Sequence, residues 1–351
     1  MSWFFINLYI EILTFNKLMK TILISDTHFG VKNNSMTWFR HQYDFIYKQL
    51  IPFIRAQTEP VRLYHLGDVF DSRSSINTFI AQHIKQLFND LCEAVGEGGV
   101  YVICGNHDYY SPVEQEYNVN TPQLLLGEIE NKYQHFHIID KETYIVNDNH
   151  DMLVPWFKYD RIEELSKNID SYRPTRIFCH SDLTHIDPDH KKLFKDIAVY
   201  SGHIHTPEFY KNLHTIGSTY SLTFADCNSE RGFYVLNDNN LLEFFPNKHS
   251  IHFWRFKNNE VFDCLEKSKP DDYVELYIDQ KLLLSDEYVN VVKEISRQIH
   301  NLNVIPISEE LTLTESIDFE SYNIESICRE NIPEGLRDKF NIVLEKTQGM
   351  A

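Results

Sequence analysis

Lys20-Thr21-Ile22-Leu23-Ile24-Ser25-Asp26-Thr27-His28 runs from strand-forming residues straight into an aspartate and a histidine two positions apart. Aliphatic and β-branched side chains favour an extended segment. Asp26 and His28 then lie at its carboxyl end, projecting the same way at i and i+2. The same grammar recurs along the chain. Arg62–Leu66 leads into Gly67-Asp68, and Val100–Cys104 leads into Gly105-Asn106-His107-Asp108. Helical patterns fill the intervals, around Trp38–Gln57 and Ile76–Val95. Strands alternating with helices predict parallel pairing in an α/β layered sheet, whose carboxyl-end loops build the site.

Beyond about Tyr144 the pattern turns strand-dense. Arg176–Cys179 leads to His180, and Ile197–Ser201 leads to Gly202-His203-Ile204-His205. Short strands follow at Leu213–Ile216, Arg231–Leu236 and Leu241–Phe245. A second sheet facing the first is expected, making residues 19–256 a four-layer αββα sandwich. The polar stretch Phe256–Pro270 marks a boundary. A small βαβ unit over 265–312 follows, from Tyr273–Ile278, a helix over Asp286–Ile299, and Val304–Ile307. Residues 313–351 read as a tail of two acidic amphipathic helices, broken at Ile332-Pro333 and too small to hold a core of their own. Residues 1–18 form a short apolar run interrupted by Asn7 and Glu11, with neither a basic start nor a small-residue cleavage site. That run matches neither a signal peptide nor a membrane span. With Met19 directly before the first strand, it reads as an upstream extension or a misassigned start.

The 351 residues carry a formal net charge of −18. From Val261 to Ala351 there are 19 acidic against 9 basic residues, so that quarter alone contributes −10. This argues against a stand-alone, tight, non-specific DNA binder. It does not exclude DNA, because metal ions and a basic partner can supply the positive field. The 24 Phe and 20 Tyr provide ample core material. Cys92, Cys104, Cys179, Cys227, Cys264 and Cys328 form no CxxC pair, and several lie in apolar runs as core thiols do. A reducing compartment, the cytoplasm, fits them.

Two hard-to-borderline cations about 3.5–4 Å apart need a bridging carboxylate and several O or N ligands. Asp26, His28, Asp68, Asn106, His180, His203 and His205 offer such a set, each where a strand is expected to end. Gly67, Gly105 and Gly202 are expected to let the backbone turn sharply beside them. His107, next to Asn106, suits a general acid that stands beside the metals without ligating them. Arg73 either reaches a phosphate or caps its loop. His41, His65 and His83 read as structural, and Trp38, Phe39 and Tyr43 as core. Tyr109 and Tyr110 read as packing residues rather than as a platform for a base.

The ordered set D-x-H, GD-x-x-D, GNHD, H, GH-x-H resembles the calcineurin-like metallophosphoesterase superfamily over residues 19–256. The resemblance implies one metal held by Asp26, His28 and His205, another by Asn106, His180 and His203, and Asp68 bridging them. Within that superfamily, Gly67-Asp68-Val69-Phe70-Asp71-Ser72-Arg73 and the stretch Gly217-Ser218 … Asp226 … Arg231-Gly232-Phe233 resemble the SbcD family of DNA-repair nuclease subunits, of the T-even phage type. That resemblance implies two Mn²⁺ ions, and exonuclease and endonuclease action on double-stranded DNA ends in recombination and break repair. It also implies a homodimer, a coiled-coil SbcC-type ATPase partner, no membrane, a cap at 265–312 that steers DNA, and a tail that docks on the ATPase. Many cellular members carry a histidine where this chain has Asp71. Phosphatases of the superfamily carry an aspartate there that pairs with the GNH histidine, so the resemblance implies that Asp71 pairs with His107 as an acid dyad, keeping the imidazole protonated. The alternatives are a phosphatase acting on phosphomonoesters, and a non-catalytic scaffold with a structural metal site.

Overall fold

The computed structural model describes residues 19–307, apart from 112–118, 142, 146–149, 157–161, 183–193, 195–196, 228 and 238–239. The N-terminal extension and the helical tail of the sequence reading lie outside the described residues. The first sheet contains β1 (Lys20–Ile24), β2 (Val61–His65), β3 (Val100–Ile103) and β4 (Phe136–Ile139), all parallel. The second contains β5 (Thr143–Ile145), β6 (Asp151–Val154), β7 (Arg176–His180), β8 (Ala198–Gly202), β9 (Glu208–Tyr210) and β10 (Leu213–Thr215), in the order β5-β6-β7-β8-β10-β9. The chain then returns through β11 (Gly232–Leu236) and β12 (Leu242–Pro246), which add antiparallel to the free edge of β1. Both six-stranded sheets are thus built around a parallel centre.

Three apolar layers explain the stacking. Leu23, Tyr64, Leu66 and Ile103 of the first sheet pack against Leu153, Phe178, Tyr200 and Ile216 of the second. The outer face of the first sheet is covered by α1 (Met36–Phe45, running on through Ile46–Leu50 and Ile51–Arg55), α2 (Thr78–Val95) and α3 (Thr121–Lys132). The second sheet's outer face takes Leu165 and Ile169 of α4 (Ile162–Tyr172). Helix, sheet, sheet, helix is the four-layer α/β architecture expected. α1 widens to a π turn at Ile46–Leu50, where the Ile51 N–H reaches back five residues to the Ile46 carbonyl. Pro52 follows immediately; its ring and missing N–H disfavour the regular ladder there.

A third, three-stranded parallel sheet is formed by β13 (Phe253–Lys257), β14 (Tyr273–Asp279) and β15 (Asn301–Ile307), with α5 (Asp286–Gln298) crossing between the last two. β13 pairs with β14 from Phe253 onward, so the third sheet begins three residues before the polar stretch that composition suggested as a boundary. On β14 the buried Val274, Leu276 and Ile278 alternate with half-buried residues, packing with Tyr288 and Ile295 of α5. His41 of α1 and His300 both hold the Asp271 carboxylate, at 2.9 and 3.0 Å, tying this module to the large one.

The two large sheets are also joined by a buried ion pair at the amino ends of their strands, away from the motif loops. Arg176 makes a two-pronged contact with Asp151, at 2.6 and 2.8 Å, and Tyr64 of the first sheet donates to the same carboxylate at 2.8 Å. Removing one partner leaves the other charged and dry. Asp151→Ala is expected to lower the unfolding free energy by about 3–5 kcal/mol, read from urea denaturation. A loss below about 1 kcal/mol, the size of an ordinary surface effect, would mean that Arg176 finds other solvation.

Candidate metal centre

The loops that leave β1 and β2 do not diverge. Asp26 N–H donates to the Gly67 carbonyl at 3.0 Å, His28 N–H to Asp68 at 3.0 Å, Phe29 N–H to Val69 at 2.8 Å, and Asp71 N–H back to Phe29 at 3.1 Å. The parallel ladder thus continues past the strand ends and carries the two motifs side by side. Inside it, Asp26, His28 and Asp68 adopt φ of +51°, +42° and +53°, as does His203 at +81°. Such left-handed backbone is uncommon for residues other than glycine and costs on the order of 1–3 kcal/mol each.

The bends bring ligand-capable atoms together in two groups. In one, His28 Nε2 lies 3.2 Å from His205 Nε2, 3.9 Å from Asp26 Oδ1 and 3.6 Å from Asp68 Oδ2. In the other, Asn106 Oδ1 lies 3.0 Å from His180 Nε2 and 2.9 Å from His203 Nδ1, and Asp68 Oδ1 lies 3.3 Å from His180 Nε2. Asp68 therefore faces each group with a different oxygen. All seven sequence-predicted ligand candidates are in one place. Asp26, His28, Asp68 and His180 are buried, whereas Asn106, His203 and His205 are partly open, so the site has one solvent side.

The donor set suits divalent cations. Ser25 Oγ and the His203 N–H both donate to Asp26 Oδ2, at 2.5 and 3.2 Å, while the buried Oδ1 has no hydrogen-bond partner. Two imidazole nitrogens 3.2 Å apart beside two carboxylates are the spacing of ligands sharing a cation, not of packed rings. A far-side acceptor orients His180, whose Nδ1–H donates to the Leu66 carbonyl at 2.7 Å, and His28 Nδ1 lies 3.4 Å from Asp71 Oδ1. Burial works against charge on His180, but Asp68 and Asp26 outweigh it and push its pKa up to about 9. His28 is raised in the same way, burial opposing and Asp71, Asp68 and Asp26 prevailing. Burial pulls His203 and His205 down, so they present neutral lone pairs. Asp68 is held well below the usual carboxylate range: burial opposes ionisation, but His180, His28 and His107 overcome it.

His107 stands at the edge of the site. Its N–H donates to Asp68 Oδ1 at 2.8 Å, and its Nδ1 to the Asp71 backbone carbonyl at 2.7 Å. The carboxylate–imidazole dyad expected between Asp71 and His107 is thus not the pairing formed. The loop presents its carbonyl to His107 and turns the Asp71 carboxylate to His28. Arg73 ties its loop to the neighbouring one, its Nε donating to the Asn106 carbonyl at 3.0 Å.

Three supporting residues escaped the sequence reading. Asp108 accepts from Gly105 N at 2.8 Å, Phe70 N at 3.1 Å and Val69 N at 3.3 Å, clamping the Asp68 loop to the Asn106 loop. Burial and the nearby Asp68 raise it to about 7, with those N–H groups opposing. Its place in GNHD was the available signal. Trp156 packs on His203 with ring centroids 4.8 Å apart, and Ser25 holds Asp26. Trp156 carries no motif signal. The glycines also differ from expectation. Of Gly67, Gly105 and Gly202, only Gly67 has positive φ, at +95°. Gly105 and Gly202 are needed for space: an added Cβ would lie 2.2 Å from Asp68 Oδ1 and 2.1 Å from Ser25 Oγ, respectively.

Residues 19–254 match the family model described as calcineurin-like phosphoesterase. Among curated proteins the chain is similar to exonuclease subunit 1 of Enterobacteria phage T4, 27% identical over 330 residues and covering 88% of this chain and 90% of that protein. Among solved structures it is similar to the 5'-nucleotidase precursor from Thermus thermophilus, with TM-score 0.33 and 12% identity over 66% of this chain. The match spans 49%, about half, of that nucleotidase chain.

Gly105→Ala tests the packing of the site. Its methyl group would push Asp68 out of the space between the two groups. The variant is expected to keep its circular dichroism spectrum and to lose bound divalent cation, measured by elemental analysis after equilibrium dialysis. Full cation content in the folded variant would show that Asp68 does not depend on that gap.

Proposed function

The chain belongs to the calcineurin-like phosphoesterase family, and from that premise we propose that it is a two-metal nuclease. It hydrolyses phosphodiester bonds at DNA ends, by exonuclease and endonuclease action, in recombination and double-strand-break repair. The observation that carries this reading is Asp68, with one oxygen toward Asp26, His28 and His205 and the other toward Asn106, His180 and His203. Similarity to an exonuclease subunit over most of both chains favours DNA as the substrate. We assign the two groups to Mn²⁺.

Cations so placed supply Lewis acidity toward a phosphoryl oxygen and lower the pKa of the attacking water. His107 is the general acid for the leaving oxygen. A carbonyl can only accept, so Asp71 O fixes the proton on Nδ1 and leaves Nε2 as the nitrogen that carries the transferable proton. Its own N–H bond to Asp68 sets its distance from the site. The chain's net charge of −18 repels DNA on its own. Positive field then comes from the cations and from a partner, which we take to be a coiled-coil SbcC-type ATPase docking on residues 313–351. The three-stranded module is the cap that steers DNA, the working unit a homodimer, and the place of action the cytoplasm. None of the helices among the described residues is long and apolar enough to cross a membrane.

Mn²⁺-dependent degradation of end-labelled linear duplex DNA is the test, with the wild-type chain beside His107→Ala and Asp68→Ala. His107→Ala is expected to lower the rate by about 10²–10⁴ while bound Mn²⁺ is retained, as loss of a general acid does. Asp68→Ala is expected to lose both. Brisk hydrolysis of a phosphomonoester, with no cutting of DNA even when an ATPase partner is added, would instead make the chain a phosphatase. Metal uptake without turnover of either substrate would leave a structural metal site.

A further inference from the structure

His28 is a candidate ligand whose two nitrogens both face carboxylates. Nε2 looks into the first group, toward His205, Asp68 and Asp26. Nδ1 looks the other way and is buried without a hydrogen-bond partner of good geometry, with Asp71 Oδ1 3.4 Å from it. The side chain is 3% exposed, so water does not compete for that nitrogen. Two backbone features hold the pair in register. The Asp71 N–H donates to the Phe29 carbonyl at 3.1 Å, and the buried Gln42 amide donates to the Thr27 carbonyl at 2.6 Å. The Asp71 loop therefore cannot slide along the His28 loop. Asp71 is left with its carbonyl committed to His107 and its carboxylate to His28.

We propose that Asp71 is the positioning residue of His28. It accepts the Nδ1 proton, fixes the tautomer in which Nε2 carries the lone pair, and aims that lone pair at the cation shared with Asp26 and His205. The inference rests on the two-metal reading above and goes beyond it in making the two cation sites unequal in what supports them. His180, in the second group, has a neutral carbonyl behind its far nitrogen, that of Leu66. His28 has a carboxylate. A carboxylate behind an imidazole raises its basicity as a ligand, and removing such a partner lowers metal affinity by about 10–100-fold.

The test is calorimetric titration of the apo chain with Mn²⁺, without DNA, for wild type, Asp71→Asn, Asp71→Ala and Asp71→Glu. Folding is checked by circular dichroism; the near-isosteric Asn variant covers the case in which Ala misfolds. One of two equivalents is expected to weaken by about 10–100-fold in the Asn and Ala variants, the other staying at its wild-type affinity. The Glu variant is expected to recover part of the loss. Unchanged affinity in Asp71→Ala overturns the proposal. So does equal weakening of both equivalents that disappears in high salt, the signature of a distant charge. Wild-type chain that binds two equivalents but cuts no DNA defeats the nuclease reading and leaves this one standing. A chain that binds no Mn²⁺ defeats both.

Discussion

Four of the seven candidate ligands, Asp26, His28, Asp68 and His203, sit in left-handed backbone, and the rest of the molecule is arranged so that they stay there. Together these conformations oppose folding by several kcal/mol, taking about 1–3 kcal/mol for each. Such strain persists only where the surroundings over-determine it. Here the surroundings are the continued ladder between the β1 and β2 loops, the Asp108 carboxylate with its three N–H donors, and the Ser25 hydroxyl on Asp26. The ladder and the Asp108 contacts fix main chain, and the Ser25 hydroxyl takes only Oδ2 of Asp26, so Asp26 Oδ1 and both Asp68 oxygens still face the centre.

Close approach is the second half of the same constraint. The parallel centres of the two sheets end at one level, so five loops converge on a space that a few atoms fill. The motif glycines lie at the contacts: Gly67 against His180, Gly105 against Asp68, and Gly202 against Ser25 and Asp26. A glycine in one loop thus makes room for a ligand, or for the residue that holds one, from another loop. This couples loops far apart in the sequence, and it explains why a single methyl group at 105 acts on a side chain 37 positions earlier.

The sequence made the strands and the ligands legible because both are local properties. A β-rich run ending in Asp-x-His needs no knowledge of its neighbours, and every motif strand falls within a residue or two of where its pattern places it. What stayed hidden depends on register between segments. Asp71 looked like a partner for His107 because an aspartate at its place in the motif pairs with that histidine in the phosphatases this chain resembles. Which of its oxygens reaches which imidazole is decided by the Asp71–Phe29 hydrogen bond, a contact across 42 positions. The return of β11 to the free edge of β1 was hidden for the same reason, as was the packing of Trp156 on His203. Gly105 and Gly202 were visible as glycines, but their reason was not, since free volume is a property of the assembled loops.

These constraints leave the folded chain asking for cations. Asp26 Oδ1 is buried with no hydrogen-bond partner, and His28 and His205 turn ring nitrogens toward one another at 3.2 Å. A buried polar atom left unpaired costs about 1–3 kcal/mol. Protonation of the imidazoles would relieve this only in part. A shared proton, however, satisfies two atoms at a time, whereas a cation satisfies four or more. Binding to the folded state alone then adds RT ln(1 + [M]/Kd), about 2.7 kcal/mol at a hundredfold excess over Kd. That is comparable to the strain of one or two left-handed residues. The strained loops hold the candidate ligands in place, and cations bound there would offset what holding them costs.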